Sequence, residues 1–203
     1  MQRSVRNIVM VAVVAGSAGV AAAQAPAKEP VVGNAKLATG SVSLDGLSAA
    51  VPRAWVFEPP SSEMRKAQWR IQAAAADQGQ GSVEAVLFFF GKGRGGNLDL
   101  NLARWLSQFL GPDGQPVTKE QATIKKEKKG NLTVTRVDIS GRYVAPKDIG
   151  SGEFYDNPGW RMALVVVETP NGPYFFRVVG PEATVNAQKE GLDAMVKSLK
   201  FKP

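Results

Sequence analysis

Trp160-Arg-Met-Ala-Leu-Val-Val-Val-Glu168 and Tyr174-Phe-Phe-Arg-Val-Val-Gly180, joined by Thr169-Pro-Asn-Gly-Pro173, set the architecture of this 203-residue chain. Two runs rich in β-branched and aromatic residues, parted by a short link with proline and glycine, read as an antiparallel hairpin. Along Trp160 to Glu168 the apolar residues fall on both faces, so this strand needs cover on both sides and belongs inside a sheet. Val83 to Phe90 has the same character.

The flanking segments supply neighbours. Ala122 to Lys128 and Leu132 to Ser140 read as a second hairpin turning at Gly130-Asn131. From Lys66 to Ile71 the pattern alternates, with Ala67, Trp69 and Ile71 to one side and Lys66, Gln68 and Arg70 to the other, as in a half-buried strand. Short strands fit Leu47 to Val51 and Trp55 to Phe57, with Pro59-Pro60 as a break. Leu98, Leu102, Trp105, Leu106, Phe109 and Leu110 fall at helical spacing, with Asn97 as cap, Asp99 in the first turn and Gly111-Pro112 as the stop. Pro181 opens a last helix whose apolar stripe is Val185, Leu192, Met195, Val196 and Leu199. Six or seven strands with short hairpin links and two helices predict an α+β fold: an α/β/α sandwich around a mainly antiparallel sheet.

The amino terminus is of another kind. Arg3 and Arg6 precede an apolar, small-residue run from Ile8 to Val20, then Ala21-Ala-Ala23 ahead of Gln24, which is the order of a signal peptide over residues 1–23. The apolar run falls short of the ~20 residues a spanning helix needs. An uncleaved anchor is the alternative, and a lipid anchor has no cysteine to carry it. Residues 24–36 read as a flexible tether and 37–203 as a single domain, free in the periplasm or secreted, with no spanning segment once the signal is removed.

Composition narrows the chemistry. The formal charge of +7 becomes +5 when Arg3 and Arg6 leave, and the charges are mixed along the chain, which argues against a nucleic-acid partner. The chain contains no His and no Cys, which excludes a serine triad, a cysteine nucleophile and any His-bearing zinc or haem site. There is no Ser-x-x-Lys and no Gly-x-Ser-x-Gly. Catalysis would have to run on carboxylates, Lys, Tyr, Ser or Arg; no catalytic, metal or cofactor residue is assigned, and no cofactor is expected.

Gly91-Lys-Gly-Arg-Gly-Gly96 matches G-x-G-x-x-G between a strand and a helix. In a dinucleotide site the helix starts within the motif and a parallel strand ends in an acidic residue about 20 positions on. Here the cap lies after the last glycine, and Gly111-Pro-Asp-Gly-Gln-Pro116 stands where that strand should end. What survives is a glycine loop offering Lys92 and Arg94 to an anion, against the plainer reading of a solvated loop. Lys125 to Lys129 is either a docking patch for an acidic partner or a guard on an exposed edge strand. Asn97-Leu-Asp-Leu-Asn101 imitates a calcium loop but has Leu102 where glycine is required. Asn131-Leu-Thr133 fits a glycosylation acceptor, relevant only in a eukaryotic source. Trp55, Phe57, Tyr155 and Trp160 lie in loops or at strand ends, and the long connection from Tyr143 to Pro158 holds Phe154-Tyr-Asp-Asn-Pro158. Connections of that length are often functional. Tyr155 and Trp160 therefore join Lys92 and Arg94 as candidate ligand contacts, whereas Trp69, Trp105 and Phe88 read as core.

From about Leu47 to Phe201 the order of elements resembles the fold shared by the PsbP extrinsic protein of photosystem II and the Mog family of Ran-binding proteins. Trp160 to Pro170 and Gly172 to Pro181 resemble segments of small exported bacterial proteins of unknown function. The resemblance implies a non-enzymatic binding or assembly role and carries over no site residue. The expectation is an exported binding or assembly module of the cell envelope whose partner is an envelope protein or a small ligand. The alternative is a carboxylate-based hydrolase lacking His and Cys.

Overall fold

The computed structural model describes residues 31–32, 35–38, 40–94, 97–147, 150 and 152–203; the expected signal peptide, residues 1–23, lies outside them. The strands are β1 (Val31–Val32), β2 (Ala35–Ala38), β3 (Ser41–Leu44), β4 (Leu47–Ala50), β5 (Val56–Glu58), β6 (Arg65–Ile71), β7 (Val83–Phe89), β8 (Phe109–Leu110), β9 (Thr123–Lys129), β10 (Leu132–Tyr143), β11 (Asn157–Thr169), β12 (Gly172–Pro181) and β13 (Lys200–Phe201). The helices are α1 (Leu98–Leu106), α2 (Glu182–Ala187) and α3 (Lys189–Ser198). Strand pairing begins at Val31, inside the 24–36 segment read as a tether.

β11 and β12 pair from Trp160–Pro181 to Thr169–Gly172, so the link between them is the two-residue turn Pro170-Asn171, tighter than the five-residue link of the sequence reading. Gly172 makes this possible. It has φ +118°, and a Cβ there would come within 2.6 Å of the Gly91 carbonyl oxygen. The main sheet runs β5-β6-β7-β12-β11-β10, with both β8 and β9 on the far side of β10, and every pair in it is antiparallel.

Alternation along the central strands builds two cores. Tyr174, Phe176 and Val178 of β12, with Val165 and Val167 of β11, share one core with Val185, Leu192, Met195 and Val196 of α2 and α3. Phe175 and Val179, with Met162, Leu164 and Val166, share the other with Leu102, Trp105 and Leu106 of α1. Cover on both faces of the inner strands is therefore real, and the fold is α+β, mainly antiparallel, with helices on both sides.

The structure departs from the sequence reading in four places. A second sheet, β1-β2-β3-β4-β13, was not foreseen; its Val42, Leu44, Leu47 and Ala49 complete the α2–α3 side. Phe109 and Leu110 are not helical: α1 ends at Leu106, and β8 pairs with Arg142 and Tyr143, where Gly141 lets the backbones close because a Cβ would lie 2.6 Å from the Leu110 oxygen. The last helix is broken at Gln188, whose side chain donates to the Thr184 carbonyl (3.1 Å) and accepts from Trp55 Nε1 (2.8 Å). The connection after Tyr143 is partly ordered as a ladder, with Lys147 N donating to Glu153 O (2.9 Å) and Tyr155 N to Ala145 O (2.8 Å). Among the described residues, no helix is long and apolar enough to cross a membrane.

Candidate functional site

β12 is buried along nearly its whole length, and one of its buried side chains is charged. Arg177, 8 % exposed, lies between Phe175 and Val179 on the α1 face of the sheet. Two aromatic rings that touch each other lie to one side of its guanidinium carbon, Phe88 at 5.7 Å and Trp105 at 6.0 Å. Its one hydrogen bond among the described residues runs from Nη1 to Gln108 Oε1 (3.3 Å), and its Nε is buried without a partner. No carboxylate forms an ion pair with it among the described residues. Burial pulls its pKa down, yet an arginine starts so high that the group stays cationic.

Arg177 forms the floor of a cleft of about 290 Å³ at the end of α1. One wall is Arg65 of β6 and Glu84 of β7, paired at 2.9 Å, with Gln68 also accepting from Arg65 Nη1 at 2.8 Å. The opposite wall is aromatic. Tyr143 and Trp160 stack with centroids 5.3 Å apart and planes 7° from parallel, and Tyr155 lies 5.6 Å from the former and 6.2 Å from the latter. Gly81, at φ +107°, backs this wall, since a Cβ there would stand 3.2 Å from the Trp160 ring. Burial raises the Tyr143 phenol above its ordinary value, so it remains a neutral hydrogen-bond donor across the physiological range.

A larger cleft, about 760 Å³, lies between β9–β11 and the α2–α3 elbow. Its guanidinium groups are all satisfied. Arg136 sits between Glu127 (2.8 Å) and Asp193 (2.6 Å), and Arg161 between Asp138 (2.7 Å) and Glu182 (3.3 Å). The run Lys125 to Lys129 belongs to β9, which among the described residues pairs only with β10 and is exposed from Thr123 to Lys128, so these lysines stand on a sheet edge.

Of the candidates read from the sequence, Tyr155 and Trp160 are brought together at the Arg177 cleft. Tyr155 is 37 % exposed and free to meet a ligand, while Trp160, 6 % exposed, forms the wall behind it. Lys92 and Arg94 are exposed in the turn after β7, at the opposite end of that strand from Ser82 and Glu84. The strand itself is seven residues long, about 23 Å. Gly95 and Gly96 of the same motif lie outside the described residues. Trp55 belongs to the core, and Asn97 caps α1 by accepting from Leu100 N (2.8 Å). Sequence reasoning missed Arg177, Arg65, Glu84 and Gln108. A signal for the first was present: one arginine inside the apolar run Tyr174 to Gly180.

The arrangement can hold an anion. A cation without a counter-charge, aromatic faces that exclude water, and neutral donors at the rim are what recognition of a small anion requires. Among the described residues Glu84 is the carboxylate that lines this cleft.

No family model matches the chain, and no curated protein matches it. Among solved structures the chain is similar to LpqN, involved in cell envelope biogenesis of Mycobacterium tuberculosis, with 10% identity and a TM-score of 0.46 over 77% of this chain and 83% of that one. It is also similar to the cyanobacterial PsbP (CyanoP) from Synechocystis sp. PCC 6803, with 10% identity and a TM-score of 0.45 over 77% of this chain and 87% of that one.

Proposed function

We propose that this chain is an exported, non-catalytic binding module of the cell envelope that takes a small anion into the cleft over Arg177. The observation that carries this reading is the burial of Arg177 without a carboxylate partner. Taking a charge out of water costs several kcal/mol per ion, about, and a protein keeps such a charge where something offsets the cost. A ligand anion supplies that offset; Gln108 and two aromatic faces do so only in part. Tyr155, Pro146 and Lys147 then form the exposed rim of the mouth, and Trp160 the buried wall behind Tyr155. Export rests on the order of residues in 1–23.

Titration calorimetry of the purified protein with acetate, phosphate and sulfate tests the reading. Saturable binding is expected for at least one of them, lost in Arg177→Met and kept in the Lys92→Ala, Arg94→Ala double variant. Equal binding by wild type and Arg177→Met would refute it. Fractionation with amino-terminal sequencing tests export, and a mature chain still beginning at Met1 would overturn that half.

A further inference from the structure

Building on the reading of Arg177 as an anion receptor, we infer that its ligand is a small hydroxy- or oxo-substituted monocarboxylate, not a doubly charged oxyanion. Charge comes first. The charged side chains lining the cleft are Arg65, Glu84, Lys147 and Arg177. Arg65 is neutralised by Glu84 at 2.9 Å and Lys147 by Glu153 at 3.2 Å, which leaves the single charge of Arg177 to be balanced. A monoanion closes that balance. A dianion adds a surplus negative charge in a partly desolvated cleft that already holds Glu84, and like charges there repel strongly.

Shape agrees with charge. Phe88 and Trp105 lie beside the guanidinium, Gln108 takes Nη1, and Nε is buried without a partner, so a ligand that reaches the Nε side meets donors with no other acceptor. Two parallel donors in the guanidinium plane match the two oxygens of a planar carboxylate. A tetrahedral oxyanion brings further oxygens that need donors of their own.

The rest of the cleft describes the body of the acid. Ser61 and Ser82 line it with hydroxyls, and Tyr143, whose phenol stays protonated, adds a third. Its size, about 290 Å³, is at the lower end of the range for small-molecule sites, ~300–1,000 Å³. A short acid with a hydroxyl or oxo group satisfies these donors and acceptors, and an aliphatic acid of equal length leaves them unpaired.

The test is calorimetry at a pH where phosphate is a dianion, using lactate, glycerate, pyruvate, propanoate, phosphate and sulfate. At least one of the first three is expected to bind at least about tenfold more tightly than propanoate, phosphate or sulfate. Arg177→Lys keeps the charge but removes the fork, and is expected to weaken that acid at least about tenfold. The Ser61→Ala, Ser82→Ala variant, which leaves Arg177 and Tyr143 in place, should reduce its affinity toward that of propanoate. Phosphate or sulfate binding as tightly as the best acid, and lost in Arg177→Met, would overturn the monocarboxylate and leave the anion receptor standing. Propanoate equal to the best acid would overturn the substituent. Absence of saturable binding by all six, or binding indifferent to Arg177→Met, would overturn both readings.

Discussion

Replacing Arg177 by Met should stabilise the ligand-free protein. The substitution removes a charge whose desolvation costs several kcal/mol, about, and the losses can be summed from its contacts. One charged hydrogen bond goes, at the long distance of 3.3 Å to Gln108, worth at most about 1.5 kcal/mol. Two cation–π contacts go with it, to Phe88 and Trp105, at ~0.5–1 kcal/mol each. Methionine can lie against the same two rings, and its sulfur recovers ~0.3–1.5 kcal/mol of aromatic contact. The balance is a gain of about 1–2 kcal/mol, in line with other replacements of buried charge by apolar side chains. For a domain of this size that is a rise of roughly 2–8 °C in Tm. Scanning calorimetry and urea unfolding in buffer free of small organic anions measure it. Arg161→Met is the control, because it strips the cation from Asp138 and Glu182 and should destabilise. A fall in Tm for Arg177→Met would mean the guanidinium is a structural strut, and the argument for a ligand would fail with it.

Four further outcomes follow from contacts elsewhere. Buried Asp77 accepts from both the backbone N (2.5 Å) and the hydroxyl (2.7 Å) of Thr184 in the first turn of α2, so Asp77→Ala should cost about 2–4 kcal/mol in urea unfolding. Burial, and secondly the Asp45 carboxylate, raise the Tyr174 phenol above its ordinary 10.0. The stability this confers is complete below about pH 10 and is lost as pH rises toward the folded value, so Tyr174→Phe should flatten the alkaline limb of urea midpoints measured from about pH 8 to pH 11. That variant also loses the hydroxyl's bonds to the Asp45 and Leu44 carbonyls, for about 1 kcal/mol at neutral pH. Gly172→Ala, strained at φ +118° and crowding the Gly91 carbonyl, should lose more than about 1 kcal/mol in the same assay. Changing Lys125, Lys126 and Lys128 together to Thr should leave Tm nearly unchanged but raise light scattering on storage, because β9 is the unpaired edge.

Much of the fold was legible because burial writes itself into period. Val83 to Phe90 and Trp160 to Glu168 carry apolar residues on both faces, and they occupy β7 and β11 with a core on each side. The Lys-rich segment was legible as an edge for the converse reason: nothing covers it. What was not legible depended on contacts distant in sequence. Phe109 and Leu110 continue the helical spacing of α1 but are claimed by Arg142 and Tyr143 across the chain, through a gap that only Gly141 leaves open. Local period cannot register a pairing whose partner is some 30 residues away. Of the second sheet the sequence showed Leu47 to Val51 as a strand, and its partners escaped notice because they are two to four residues long, too short to establish a period.

The site divides along the same line. Tyr155 and Trp160 stood out as aromatics near a long connection, and both line the cleft. Lys92 and Arg94 stood out because they sit in a recognisable motif, but a motif states spacing along the chain, whereas a binding site is a convergence in space, and the turn after β7 packs beside Gly172, away from the Arg177 cleft. Arg177 was concealed by the quality of its surroundings: within Tyr174-Phe-Phe-Arg-Val-Val-Gly180 it passes for a tolerated interruption of a core strand. A charge at that position has few physical fates. It reaches solvent at a strand end, it pairs with a carboxylate on a neighbouring strand, or it waits for a partner the chain does not supply. Arg177 is mid-strand, and the residues opposite it are Leu164 and Val86. No carboxylate stands opposite it in register and its Nε is buried without a partner, so the third fate is the one on which the proposed anion site rests.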